Sequence, residues 1–490
     1  MAGLGKSVSK NVAVLFARQV VTWMSTVLLL LFLPSRLGPV NYGKFYLGQM
    51  IVGIFSLLID FGGHYSITKA VSRNRENIGH IIVDSLGIRS LLWIISFITV
   101  NLYGFLIGYD VTTKTIIFIF SVGMTWTGAR TVFWCCYQGF EMMKYPAYST
   151  IAESMFISLV GVAALVLGVG PVGFTVITVL GTLLNFFVCV KFSHYLTQFF
   201  PRVNWRASLA LLKEGFPYFL NSVFSVIYYR IDAVMLSLMT PAIVVGWYGA
   251  SYRFFDSLMF VPSIFTISIF PVLSRMWGEN KMSIGRSVQK SLDFMLILGI
   301  PISVGIFSFS EEIIRIFYGL QGYQQSILLL RIFAVGMLLV YVDNMLGTAL
   351  LASDKQRKLS VLAFCAIIVN VGLNYVLIPY TQIHYKNGGI GSAVATVITE
   401  FFIMVSMSTM LRKTVLLNCK IAVQLKAILS GIIMGVFLWL AHLAGTYWIV
   451  QAIICGPIYL AAIFLFKTFE PSDIELIKGM IPNRIFSRNK

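Results

Sequence analysis

The chain has 490 residues, of which 58% are hydrophobic and only 11% charged, with a formal net charge of +18. That leaves too little polar surface to coat a water-soluble globule of this size. The positive excess is scattered between apolar runs and forms no contiguous basic surface with reading elements, which excludes nucleic acid as a partner.

The apolar runs are continuous, as in VLLLLFL (27–33) and LLWIISFITV (91–100), without the alternation of barrel strands. They predict an all-α polytopic membrane protein with about 14 transmembrane helices. In chain order the predicted spans are 12–34, 44–63, 86–108, 115–136, 147–168, 172–191, 215–239, 243–271, 289–309, 326–352, 360–379, 389–411, 428–446 and 447–467. The first follows Lys6 and Lys10, is too long for a signal peptide and carries Arg18, so it is expected to be a retained helix.

Lys and Arg sort into alternate gaps. Counting from the N-terminus, every second gap together holds 26 of them and the remaining gaps hold 5. Six arginines lie inside or at the edge of spans. This bias predicts that both termini are cytoplasmic. It also accounts for most of the positive charge, through topology and attraction to anionic headgroups. The six cysteines lack metal-ligand or redox spacing and read as apolar filler, so no metal or other cofactor is expected.

The expected organisation is an N-terminal six-helix lobe (1–191), a cytoplasmic linker (192–214), a second six-helix lobe (215–411), two additional spans (412–467) and a cytoplasmic tail (468–490). In the linker, Trp205, Leu209 and Leu212 fall on one face and predict a short helix lying on the membrane surface. The two lobes carry the same Y-G-x-x-Y signature, Tyr42-Gly43-Tyr46 and Tyr248-Gly249-Tyr252, at matching places in the topology. Two parallel repeats are a transporter arrangement with a site between halves.

Ionisable side chains inside spans are costly and normally face protein or water. Arg89 and Arg130 lie near cytoplasmic span ends and are expected to snorkel as topology anchors. Arg18, Arg230, Asp232, Arg253, Asp256, Asp343 and Glu400 are harder to dismiss. Several sit on polar stripes at helical spacing: Arg18 with Thr22 and Ser25; Asn221 with Ser225, Tyr228 and Asp232; Tyr248 with Tyr252 and Asp256; Asn370 with Asn374. Helix-to-helix glue is the plain reading of such residues. The intramembrane cations are all Arg and none is Lys, which leans toward a phosphate- or carboxylate-bearing ligand, because guanidinium presents a planar fork of donors. The candidate cavity-lining, substrate-binding residues are therefore Arg18, Arg230, Arg253, Arg331, Tyr228, Tyr252, Asn221 and Asn374. The candidate ion-coupling residues are Asp60, Asp232, Asp256, Asp343 and Glu400.

A turn Leu37-Gly38-Pro39-x-x-Tyr42-Gly43, a second span ending Asp60-Phe61-Gly62-Gly63 and a Thr68-Lys69-x-x-Ser72-Arg73 run follow an apolar first span. This stretch of about 65 residues resembles the bacterial polysaccharide (O-antigen) flippase family of the multidrug/oligosaccharidyl-lipid/polysaccharide exporter superfamily. The resemblance implies a V-shaped pair of six-helix lobes working by alternating access in the bacterial inner membrane. Its implied cargo is a polyprenyl-diphosphate-linked oligosaccharide for cell-surface polysaccharide such as lipopolysaccharide. Coupling by H+ or Na+, and contact with polysaccharide assembly machinery, are further expectations. A drug exporter of the same superfamily would show acids more than Arg in its lumen. A membrane glycosyltransferase or polymerase would need a sizeable loop bearing acids or His. No loop here has that room, so the chain is not expected to be an enzyme.

Overall fold

The computed structural model describes residues 2–73, 77–140, 142–193, 202–279, 281–412 and 422–468; the side chains of 2–13, 15, 16, 221, 225 and 278–283 are outside that description. Among the described residues every regular element is a helix. They run α1 (Ala2–Asp60), α2 (Gly63–Arg73), α3 (Ile78–Leu106), α4 (Val111–Gly139), α5 (Lys144–Val166), α6 (Pro171–Phe192), α7 (Trp205–Met239) and α8 (Ala242–Leu258). They continue with α9 (Phe260–Glu279), α10 (Lys281–Ser308), α11 (Ser310–Tyr318), α12 (Gln324–Ala352), α13 (Gln356–Tyr385), α14 (Gly388–Arg412), α15 (Ala422–Leu443) and α16 (Trp448–Leu465). In hydrocarbon a helix satisfies its own N–H and C=O groups, so apolar runs of this length have no cheaper conformation.

Among the described residues, twelve helices are long and apolar enough to cross a membrane, thirteen if the bent pair Trp205–Phe224 and Val226–Met239 is one span. One of the twelve, Ala17–Arg73, is 57 residues long. At 1.5 Å per residue that is about 85 Å, far more than one bilayer core of ~30 Å. It is broken at Gly38, whose φ of 70° and ψ of 166° no helix contains. Counting the two sides of this break as two spans brings the structure to the predicted fourteen.

One of the predicted boundaries differs. The linker stretch beginning at Trp205 does not end before the span predicted from residue 215. It runs on as α7, with a 44° bend at 224–226. Its start is capped by the Asn204 side chain, which accepts N–H bonds from Arg206 and Ala207. The gap 310–325 between two predicted spans contains α11. That helix is short and amphipathic, with Glu311 and Glu312 in its first turn, where the helix dipole favours acids. The predicted tail lies almost wholly outside the described residues, as do 194–201 of the linker.

The chain folds as two compact units, Met1–Ala250 with Ile316–Gln325 and Ala363–Ser392, and Ser251–Arg315 with Ser326–Leu362 and Ala393–Lys490. In the first, α1 packs along α5 and α4, and α4 also packs on α3 and α6. Its apolar core includes Val71, Ile82, Val132, Phe133, Cys135, Cys136 and Cys189, so these cysteines are the filler expected of them; Cys419 lies outside the described residues. In the second, α15 and α16 pack on α10 around Ile300, Met434, Leu438, Tyr459 and Ile463. Gly431 lets α15 approach: a Cβ there would lie 2.3 Å from the Ile300 side chain.

Candidate functional site

The arginines at the span ends do not snorkel. Arg89 is only 4% exposed; its Nη2 donates to Asp60 Oδ1 at 2.7 Å and its Nη1 to the Gly128 carbonyl at 2.7 Å. Arg130 pairs with Glu153, whose Oε2 also accepts from Asn185 Nδ2 at 2.6 Å. Both therefore tie helices of the first unit together. The anchor reading failed because adjacent helices supply carboxylates that a single helix does not reveal. Asp60, a predicted ion-coupling residue, is thus the partner of Arg89. With His64, Ser56, Thr127 and Thr131 the pair lines a cavity of about 290 Å³.

The deeper arginines differ. Arg18 is half-buried, and the described residues offer it no carboxylate. The Arg230 Nη1 lies 2.9 Å from Met50 Sδ, which brings α7 to α1. Two residues on, Asp232 is buried and accepts the Tyr248 hydroxyl and the Ala233 N–H. Tyr228 packs edge-to-face on Tyr229, with ring centroids 5.2 Å apart. Asn374 is fully buried and donates to the Asn370 side chain and carbonyl, at 2.9 and 3.0 Å. The Asn221 side chain lies outside the described residues.

Inside the first unit, the Tyr42-Gly43-x-x-Tyr46 signature meets the start of α8 up to Tyr248 and Gly249. A Cβ on Gly43 would lie 2.2 Å from the Ala242 carbonyl, and one on Gly246 would lie 1.9 Å from that of Pro39. Gly249 sits under the Tyr46 ring, and the Tyr42 hydroxyl comes within 3.5 Å of the Gly249 carbonyl. The break at Gly38 frees carbonyls of the preceding turn, and Tyr323 donates to that of Pro34 at 2.9 Å. The D-F-G-G signature makes a similar contact at the far end of α1. A Cβ on Gly62 would lie 2.1 Å from the Gly215 carbonyl; Phe61 stacks on Phe219 at 4.3 Å, and Lys69 pairs with Glu214. Glu214 was missed in sequence, because a lone acid among loop charges gives no signal of its partner.

In the second unit, Arg253 and Arg331 have no carboxylate partner among the described residues. Tyr252 is buried edge-on against Phe333, at 5.4 Å. Asp256 accepts the Met259 N–H on its backbone carbonyl, at 3.2 Å. Asp343 and Glu400 are both buried, and the structure brings these two carboxyl groups together.

Two groups outside the spans are electrostatically tuned. Burial of the Asp110 carboxyl opposes its charge, but the Lys44 ammonium at 2.6 Å and the Thr113 hydroxyl outweigh it and hold the group below the usual carboxylate range. Lys355 is pushed down, first by burial and then by Lys358, while its Nζ donates to the Met410 carbonyl.

A family model described as "Polysaccharide biosynthesis protein" matches residues 8–277, more than half of the chain. The chain belongs to that family. A second model, described as MatE, matches residues 217–376 of this polysaccharide biosynthesis family member. The chain is 21% identical over 434 residues to the "Putative O-antigen transporter" of Escherichia coli (strain K12), covering 84% of this chain and 99% of that one. Its fold is similar to the solved structure "Lipid II flippase MurJ, inward closed conformation", with a TM-score of 0.73 at 18% identity, covering 93% of this chain and 98% of that one. It is also similar to an inward-facing multidrug resistance MATE family transporter, with a TM-score of 0.65 at 14% identity, covering 80% and 94%. The family member described here is a multi-pass membrane protein of the transporter and flippase type, in the multidrug/oligosaccharidyl-lipid/polysaccharide exporter superfamily.

Proposed function

We propose that this protein moves a polyprenyl-diphosphate-linked oligosaccharide from the cytoplasmic to the outer leaflet of the bacterial inner membrane by alternating access, for cell-surface polysaccharide synthesis. The observation that carries the reading is a division among the span arginines. Arg89 and Arg130 are neutralised by Asp60 and Glu153, whereas Arg18 and Arg253 have no carboxylate among the described residues. An unneutralised guanidinium at span depth is expensive. A dianionic diphosphate is the kind of ligand that offsets that cost. Arg230, beside the Met50 contact with α1, is the third arginine of the proposed set, and Tyr228 offers a ring face to sugars, whereas Tyr252 is buried against Phe333 and does not.

The relative named as an O-antigen transporter supports the cargo class. The loop charges support cytoplasmic termini. Asp232 and the Asp343–Glu400 pair are the coupling residues of this reading, for H+ or Na+. The match to the MatE model favours a second reading, a drug exporter; cationic drugs would be repelled by the same arginines.

The test replaces Arg18, Arg230 and Arg253 singly by Ala and by Lys, and measures outer-leaflet glycan and protein level in a strain lacking the gene. Lost glycan at normal protein level is expected. Full complementation by all six variants would sink the reading.

A further inference from the structure

Arg331 lies seven residues into α12 and faces a groove of the second unit, apart from the buried carboxyls Asp343 and Glu400. The groove has a volume of about 370 Å³ and is lined by Phe307, Leu328, Ile332, Val335, Val397 and Ile398. Phe307, Leu328, Val335 and Ile398 are large apolar side chains left exposed. On a helix that crosses a bilayer, such a surface faces acyl chains. The guanidinium is the groove's single charge. Its Nε donates to Ser310 Oγ at 2.9 Å, and its carbon lies 5.9 Å from the Phe307 ring. The Ser310 bond and the Phe307 ring hold the head group across the groove.

A cation held in an apolar groove at the bilayer needs an anion. The described residues supply no carboxylate to Arg331. The nearest acids along the chain from Ser310 are Glu311 and Glu312, and Glu311 is taken by Arg315 at 2.6 Å. We infer that this groove binds one bilayer phospholipid with an anionic headgroup, its phosphate on Arg331 and one acyl chain along Phe307, Val335 and Val397. A phosphate oxygen accepts from the guanidinium donors that Ser310 leaves over, and basic pockets between membrane helices hold lipid headgroups in this way. A single phosphodiester fits better than a diphosphate, because one arginine is present and two glutamates begin the adjacent helix. Arg331 is therefore a lipid residue of the protein's outer wall and stands outside the proposed cargo set.

The test uses the full-length protein purified in detergent. It is offered phosphatidylglycerol or phosphatidylcholine, with bound lipid counted by native mass spectrometry and melting followed by fluorescence. Phosphatidylglycerol should be retained several-fold more than phosphatidylcholine and should raise the melting temperature. Arg331→Gln should abolish that preference and Arg331→Lys should keep most of it. Val397→Trp, which fills the groove without touching the charge, should lower retention of phosphatidylglycerol and carries the test if Arg331→Gln does not fold. Equal retention of the two lipids, or unchanged preference in Arg331→Gln, would overturn the inference. So would displacement of phosphatidylglycerol by polyprenyl phosphate, which would return Arg331 to the cargo.

Discussion

Gly246 lies so close to the Pro39 carbonyl that a Cβ on it would stand 1.9 Å from the oxygen. Real Cβ atoms do not approach oxygen that closely, so α8 can rest on the start of the second span only while position 246 is bare. Gly43 faces the Ala242 carbonyl in the same manner from the other side. Small residues at membrane helix contacts let backbones meet where no hydrophobic drive between helices exists.

Gly246→Val is therefore expected to push α8 off α1. Overpacking of this kind costs about 1–3 kcal/mol. The measurement is the melting temperature in detergent, beside Gly456→Val, where a Cβ meets open space. Equal melting of the two variants would count against the contact.

The Asp60–Arg89 pair should be asymmetric. Asp60 is one-third exposed, whereas Arg89 is buried and also serves the Gly128 carbonyl. Arg89→Gln strands a carboxylate and a carbonyl and is expected to cost about 2–3 kcal/mol; Asp60→Asn should cost less, because solvent shares the loss. A double-mutant cycle on thermal or denaturant unfolding checks this. Strict additivity would mean that the two groups do not interact.

Tyr248→Phe removes a donor from Asp232, which is only 4% exposed. Leaving a buried acceptor short of a partner costs about 1–3 kcal/mol. The loss of melting temperature should be the same whether or not cargo lipid is present, since Tyr248 is fully buried. A wild-type melting curve for this variant would mean that Asp232 has other donors in reserve.

Asp110 sets a pH dependence. Its carboxyl is held below the usual range in the folded protein by Lys44 and Thr113 against the opposing effect of burial. A depressed folded value means a stabilising contribution that is fully present above the unfolded pKa of about 3.9 and lost as pH falls through the folded value. The Lys44→Met variant should lack this contribution. The melting difference between wild type and variant is expected to be small, because Asp110 is 46% exposed, to vanish in acid and to shrink in high salt. A difference that grows in acid would reverse the sign.

Much of the fold was readable because each span satisfies its own backbone. The Trp205 helix shows the limit: amphipathic spacing points to it, but neither to its continuation into the following span nor to the docking of Asn204 and Ser208 on Asp84 of α3. In the candidate site, Asp232 and Asn374 stood on polar stripes and Asp343 and Glu400 were charges inside predicted spans, and the structure buries all four. Arg89 and Arg130 were misjudged, because depth along one helix says nothing about a carboxylate on the next.

By itself the sequence determined the helices, their crossing of a membrane and the signatures that mark the family, since these follow from local composition and from backbone hydrogen bonds closed within one segment. Only the tertiary structure decided which arginines are neutralised, that the Tyr42-Gly43-x-x-Tyr46 signature meets the start of α8, and that Arg331 opens onto an apolar groove. Those facts depend on which helix lies beside which, and side-chain contacts between residues some two hundred positions apart leave no trace in the spacing of either segment.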